Sequence, residues 1–258
     1  MFISKIDPSV EIVTESWNAA PPEGMSLGLE ERDFAAFPYG SIAPEFSFKL
    51  LSWPEIVERA EYNERNKCRT SDILRAKGFI SSNQNGTNYC WNHGCVNAMM
   101  GTQIIMGMPK LNLSAASSAA RIKGFRNQGG WGGEALQGLS SDGVAVVDFW
   151  PYNKIDRSLV TEEMKANAKL HRVTDWEDMP GQDKQVLFSA LVQNIMCPVA
   201  YSWWSHLVCA IDPLITGPTS GNVLILNSHG DSDYKALVGS RSVHSDAQCV
   251  RNITPSYV

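Results

Sequence analysis

The chain has no apolar run near the roughly 18 to 20 residues needed to span a bilayer, which argues against a membrane helix. It has no basic excess either. With 22 Lys and Arg against 27 Asp and Glu, the net charge of −5 leaves no electrostatic footprint for nucleic acid. The first twenty residues carry Asp7, Glu11 and Glu15 and lack a basic start followed by an apolar core, so no secretory leader is legible. A cytoplasmic or virion-associated location is the expectation. Cysteine is sparse, and Cys68, Cys90, Cys95, Cys197, Cys209 and Cys249 lack the tight regular spacing of a small disulfide framework. No internal repeat or low-complexity tract is present. The glycines at Gly129, Gly130, Gly132 and Gly133 lack the Lys-Ser/Thr of a phosphate loop, which speaks against nucleotide binding.

What is present is enough chain for a sizeable core: 258 residues, 43% of them hydrophobic. Residues 1–50 read as an extended arm, rich in Pro and Gly and poor in periodicity. Trp17, Phe34, Phe37, Tyr39, Phe46 and Phe48 are too many aromatics for a free linker, so the arm is expected to dock on a protein partner or assembly. Residues 51–258 read as one domain. Residues 54–66 suggest a charged surface helix capped by Ser52. Helices are expected near 91–107, 114–127 and 132–142, giving a helical lobe over about 70–150. After about residue 195 the pattern turns to short strands, near 199–204, 207–211, 222–226 and 234–238, within a lobe over about 151–258. That order of segments implies the α+β class.

One stretch carries chemistry. Gln84 stands six residues before Cys90, which is followed by Trp91 and a Pro-free segment with apolar residues at Cys95, Met99 and Ile105. A thiol attacks a carbonyl usefully only as a thiolate, and a helix N-terminus favours that anion. Cys90 is therefore a candidate nucleophile and Gln84 a candidate oxyanion donor. The bland alternative is a buried helix cysteine. Cys90, His93 and Cys95 have ligand chemistry, but on a helix the three cannot face one ion, so no metal site and no cofactor are expected. His171, His229 and His244 read as surface or loop histidines.

The order of motifs resembles the papain-like cysteine peptidases. After the nucleophile come Leu113-Ser114, Gly129-Gly130-Trp131, Ala135-Leu136-Gln137 and Trp150-Pro151-Tyr152. Pro198-Val199-Ala200-Tyr201 then leads to His206, and Asn227-Ser228-His229-Gly230 is similar to the family's Asn-Ser-Trp-Gly. The resemblance covers roughly residues 77–242. It implies a two-lobed fold, a helical lobe facing an antiparallel sheet lobe across a cleft, that hydrolyses a peptide or protein substrate without cofactor or metal. His206 would be the general acid/base, oriented by Asn227 through its other N–H, while Gln84 and the Cys90 backbone N–H would hold the oxyanion. Gly129 and Gly130, beside Trp131, would leave a backbone edge on which a substrate pairs, or would form a plain loop.

Departures from the family are visible. His229 replaces the tryptophan that shields the asparagine–histidine bond, a role Trp203 or Trp204 could assume, and Ser205 stands where many relatives have an acid. The secreted relatives' bridging cysteines are replaced by Thr87 and Gln128, so the remaining five cysteines are expected as buried thiols. The family's zymogens carry a longer helical pro-segment running backwards through the cleft. This arm is short and lacks that pattern, which makes self-inhibition the lesser reading. Two other functions stay open: a structural or binding component of a larger assembly, such as a virus particle, and a thiol amidase acting on cell-wall peptides.

Overall fold

The computed structural model describes residues 2–21, 23, 26–38, 48–179, 181–230 and 234–253. Tyr39 and Phe46 of the arm lie outside them. In chain order the elements are β1 (Glu11–Val13), α1 (Trp53–Arg65), α2 (Thr70–Ala76), α3 (Cys90–Ile105), α4 (Ala115–Ile122), α5 (Gly132–Ser141), α6 (Glu162–Leu170), β2 (Val173–Met179), α7 (Lys184–Leu191), β3 (Cys197–Tyr201), β4 (His206–Gly217), β5 (Ser220–Leu226), β6 (Tyr234–Leu237) and β7 (Asp246–Ile253). Helices come first and strands dominate later, so the class is α+β.

Local chemistry accounts for the element boundaries. At the start of α1, the Ser52 backbone N–H and hydroxyl both donate to the Glu55 carboxylate at 2.8 Å, and Pro54 sits in the first turn. That helix buries Ile56, Ala60 and Asn63 and turns its charges outward. Helix α3 differs, being buried from Cys90 to Ile104 with no polar stripe. It runs through the middle of the molecule, between α4 and α5 on one side and the sheet on the other.

The sheet order is β1-β6-β5-β4-β3-β7-β2. All neighbours are antiparallel except β1, which the arm contributes parallel to β6 through Glu11↔Lys235 to Val13↔Leu237. Strand β4 shows how the sheet is covered. Leu207, Cys209 and Ile211 face the core with α3, while the alternate Val208 and Ala210 face a second core with Phe188 of α7 and Ile56 of α1. Both faces are dry, so β4 reads as a continuous apolar run rather than an alternating one.

The described cysteines are all free; Cys68 is half-buried and the others are buried. Two histidines correct the sequence reading. His171 and His244 are buried, not surface groups. His171 closes α6, its carbonyl accepting the Val144 N–H at 3.0 Å, and burial pushes His244 down to about 4. No helix among the described residues is long and apolar enough to cross a membrane.

Candidate active site

Cys90 is the first residue of α3, so its sulfur lies at the positive end of the helix dipole. It is fully buried. The Gly28 backbone N–H of the arm donates to Cys90 Sγ at 3.3 Å, and the Leu207 and Trp91 backbones also hydrogen-bond it. The Leu207 bond puts the sulfur at the start of β4, where His206 is the first residue. His206 Nε2 lies 2.8 Å from Asn227 Oδ1, just past the end of the neighbouring strand β5. An amide oxygen can only accept, so Nε2 carries the proton and Nδ1 has a free lone pair. That Nδ1 is buried without a hydrogen-bond partner among the described residues.

The imidazole packs against two rings. Trp204 lies 4.6 Å away between centroids and is itself stacked on Trp203, so Trp204 helps shield it. His229, two residues after Asn227 where the family motif has tryptophan, lies 5.6 Å away. The Asn227 amide Nδ2 donates to His229 Nδ1 at 3.0 Å, which fixes the orientation of Asn227. His229 therefore touches the site, as its standing in the place of the family's tryptophan implies, and is not merely a loop histidine. Its place two residues after Asn227 was the available signal.

Gln84 is also fully buried and lies against the same segment. Its backbone N–H donates to Ser228 O at 2.9 Å and its Oε1 accepts from the Ser228 hydroxyl at 2.6 Å. These bonds turn Nε2 outward, where it donates to the carbonyl of Ser26 in the arm. A peptide carbonyl thus sits on the amide assigned to the oxyanion.

The arm continues along the cleft past the sulfur. Gly130 N–H donates to Gly28 O at 3.0 Å and Glu30 N–H to Gly130 O at 2.9 Å, a parallel bridge that uses the edge proposed for substrate. On the other wall Leu29 N–H reaches Ser205 O at 3.3 Å. Ser205 is left-handed, at φ 49°, as the chain turns from residues 202–204 into β4. Trp131, just after the glycines, lies under the Arg32 guanidinium at 4.5 Å. The arm thus docks in the chain's own cleft over residues 26–32, which was the lesser of the two sequence readings.

This cover reverses one expectation. The sulfur was expected as a thiolate, yet burial pushes the Cys90 thiol up to about 11, outweighing the three backbone hydrogen bonds that pull it down. Burial likewise drives His206 down to about 3, with His229 and His93 adding to the effect against the pull of Asn227. Both the thiol and the imidazole are held neutral. The sulfur also meets an N–H, whereas a nucleophile needs a carbonyl carbon. His93 Nδ1 pairs with Ser82 Oγ at 2.8 Å and the Cys95 thiol donates to Trp91 O at 3.3 Å, so neither is turned to a shared ion with Cys90. Among the described residues no group of three or more His, Cys, Asp or Glu could hold a metal.

No protein-family model matches the sequence and no curated protein matches it. Solved structures do match. Xylellain, a cysteine protease from Xylella fastidiosa, superposes with a TM-score of 0.57 at 13% identity over 89% of this chain and 96% of that one. Bromelain from Ananas comosus in complex with the E64 inhibitor gives 0.54 at 19%, over 68% of this chain and 95% of its own. Digestive procathepsin L 3 from Tenebrio molitor larval midgut gives 0.54 at 16%, over 65% of this chain. The chain spans 64% of that procathepsin and 66% of the ragweed Amb a 11 proform, about two thirds of their length. At these identities the likeness is one of fold: the chain has the papain-like fold.

Proposed function

We propose that the chain is a papain-like cysteine peptidase held latent by its own arm. The observation that carries this reading is the mode in which the arm is bound. An extended peptide lies over the thiol, held by Gln84 at a carbonyl, Gly130 at a backbone edge and Ser205 at an N–H. Those contacts suit a substrate as well as an arm.

With the arm displaced, His206 Nδ1 takes the Cys90 proton and the thiolate adds to the substrate carbonyl carbon. The oxygen gains charge and is held by Gln84 Nε2 and the Cys90 backbone N–H. The imidazolium, kept in its tautomer by Asn227, gives the proton to the departing amine. Water deprotonated at the same Nδ1 then releases the acyl group. The resident groups suffice for each step.

The test is labelling of the full-length protein by a peptidyl epoxysuccinate, mapped by mass spectrometry, in wild type, Gly28→Val, Cys90→Ala and His206→Ala. Labelling at Cys90 that rises in Gly28→Val and disappears when His206→Ala is added supports a working dyad. If Cys90 reacts no faster than Cys68 even in Gly28→Val, the chain is an inert component that kept the fold. Hydrolysis of a cell-wall peptide but not of unfolded protein would place the same dyad in an amidase.

A further inference from the structure

Among the described residues of the arm, Arg32 is the charged side chain that is buried in the domain. Its side chain is 2% exposed, and it faces Asp178 and Asp246, whose side chains are 6% and 7% exposed. Nη1 bonds Asp178 Oδ1 at 2.9 Å and Nη2 bonds Oδ2 at 3.1 Å, the two-pronged geometry that suits guanidinium to carboxylate. Asp246 Oδ1 stands 3.8 Å from Nη1. The guanidinium plane lies over Trp131, and the Phe37 and Pro38 carbonyls accept from Nε and Nη2 at 2.8 Å.

The carboxylates and the indole around the guanidinium belong to the domain, Asp178 coming from β2, Asp246 from β7 and Trp131 directly after the glycine edge, while the arm itself adds the Phe34 ring and the Phe37 and Pro38 carbonyls. Arg32 is two residues past Glu30, the last arm residue bonded to Gly130, so the pocket opens onto the cleft on the Gly130 side of the sulfur.

Two buried carboxylates facing one volume beside an indole need a cation there. Gln248 donates to Asp178 at 3.2 Å, but a neutral amide does not balance two charges. Burial and the neighbouring Asp178 charge push Asp246 up to about 6, with Gln248 and Arg32 pulling the other way. When the arm leaves the cleft it takes its guanidinium with it, and the domain keeps an acidic, aromatic-walled pocket. A planar guanidinium satisfies the fork and the indole face together, whereas an ammonium satisfies neither as well.

Resting on the peptidase reading above, we propose that Asp178, Asp246 and Trp131 form a side-chain subsite of the cleft that selects an arginine of the substrate, and that Arg32 fills it in the latent state. The arm closes the site by presenting the side chain the site is built to take.

Two readouts on full-length Gly28→Val carrying Arg32→Ala test this, with Arg32→Gln in place of Arg32→Ala if the first variant does not fold. In the first, calorimetry measures binding of N-acetyl-argininamide and of its neutral citrulline analogue. In the second, Cys90 labelling is timed with peptidyl epoxides that differ only in carrying arginine or citrulline. The expected result is a preference for arginine of about tenfold or more in both, lost when Asp178→Asn or Asp246→Asn is added. Equal labelling by the two probes, dependent on His206, overturns the proposal and leaves the peptidase reading standing. Selective arginine binding with no labelling of Cys90 keeps the cation pocket and removes the peptidase reading. Neither binding nor labelling removes both.

Discussion

Gly28 is the residue on which the latent state turns. A Cβ there would lie 1.9 Å from Asn88 O and 2.3 Å from Asn88 C, both backbone atoms that cannot swing aside. No other residue lets the arm pass so close to the start of α3 while donating to Cys90 Sγ. Gly28→Val is therefore expected to lift the arm from the sulfur at a cost of about 1–3 kcal/mol, raising Cys90 alkylation by about tenfold or more over wild type. An unchanged rate, measured by mass spectrometry of iodoacetamide-treated protein, would mean that the arm does not control access. The pH profile follows from the same cover. In wild type, with the thiol pushed up to about 11 by burial and His206 down to about 3, the Cys90 rate should keep climbing well above pH 9. In Gly28→Val, water returns, the helix N-terminus and a chargeable His206 act on the sulfur, and the inflection should move below pH 9. Coincident profiles would sink that account.

At the scale of elements, β4 ties the two lobes together. It opens with His206, and six residues on its Asp212 carboxylate accepts the N–H groups of Thr70 at 2.9 Å and Ser71 at 3.1 Å, at the start of α2. Asp212→Ala strands two buried donors and should lower stability by about 3 kcal/mol in urea unfolding. A loss below the experimental scatter would show that water takes the carboxylate's place. The elements also show what the sequence could and could not reveal. Helices α3, α4 and α5 were legible because the local pattern marks them, as in the Pro-free run after Cys90 with apolar residues at Cys95, Met99 and Ile105. Strands β2 and β7 were not. Trp176, Glu177, Gln248 and Arg251 break their alternation, and each strand is specified by its pairing with the other and with β3, a long-range fact. Strand β1 escaped for the same reason, since three residues of an irregular arm become a strand only because β6 has a free edge. Cys90, His206, Asn227 and Gln84 were each named from sequence. His229 stood two residues after Asn227, in the place of the family's tryptophan, and so was within reach of sequence reading, whereas the Arg32 pocket and the path of the arm join residues far apart in the chain and left no local trace.

The whole molecule buries its titratable groups unevenly, and that sets its response to acid. Burial drives His93 and His206 down to about 3 and His244 to about 4, from an ordinary 6.5. As pH falls through 6.5 the unfolded chain takes up these protons while the folded chain does not, so the histidines' contribution to stability is full above 6.5 and is lost progressively down to about 3 to 4. Asp212 and Asp246 work the other way. Burial raises both from 3.8 to about 6, so the folded chain binds their protons first and their contribution grows as pH falls from 6 to 3.8. His171 is displaced by burial in the same direction, so four histidines oppose the two carboxylates and prevail. The melting temperature should therefore fall steadily from pH 6.5 to 4 in fluorescence-monitored melts. The slope should be shallower in Gly28→Val, where His206 regains water and no longer resists its proton. A melting temperature that rises on acidification would mean the carboxylates dominate, and equal slopes in the two proteins would mean that the arm does not keep His206 dry.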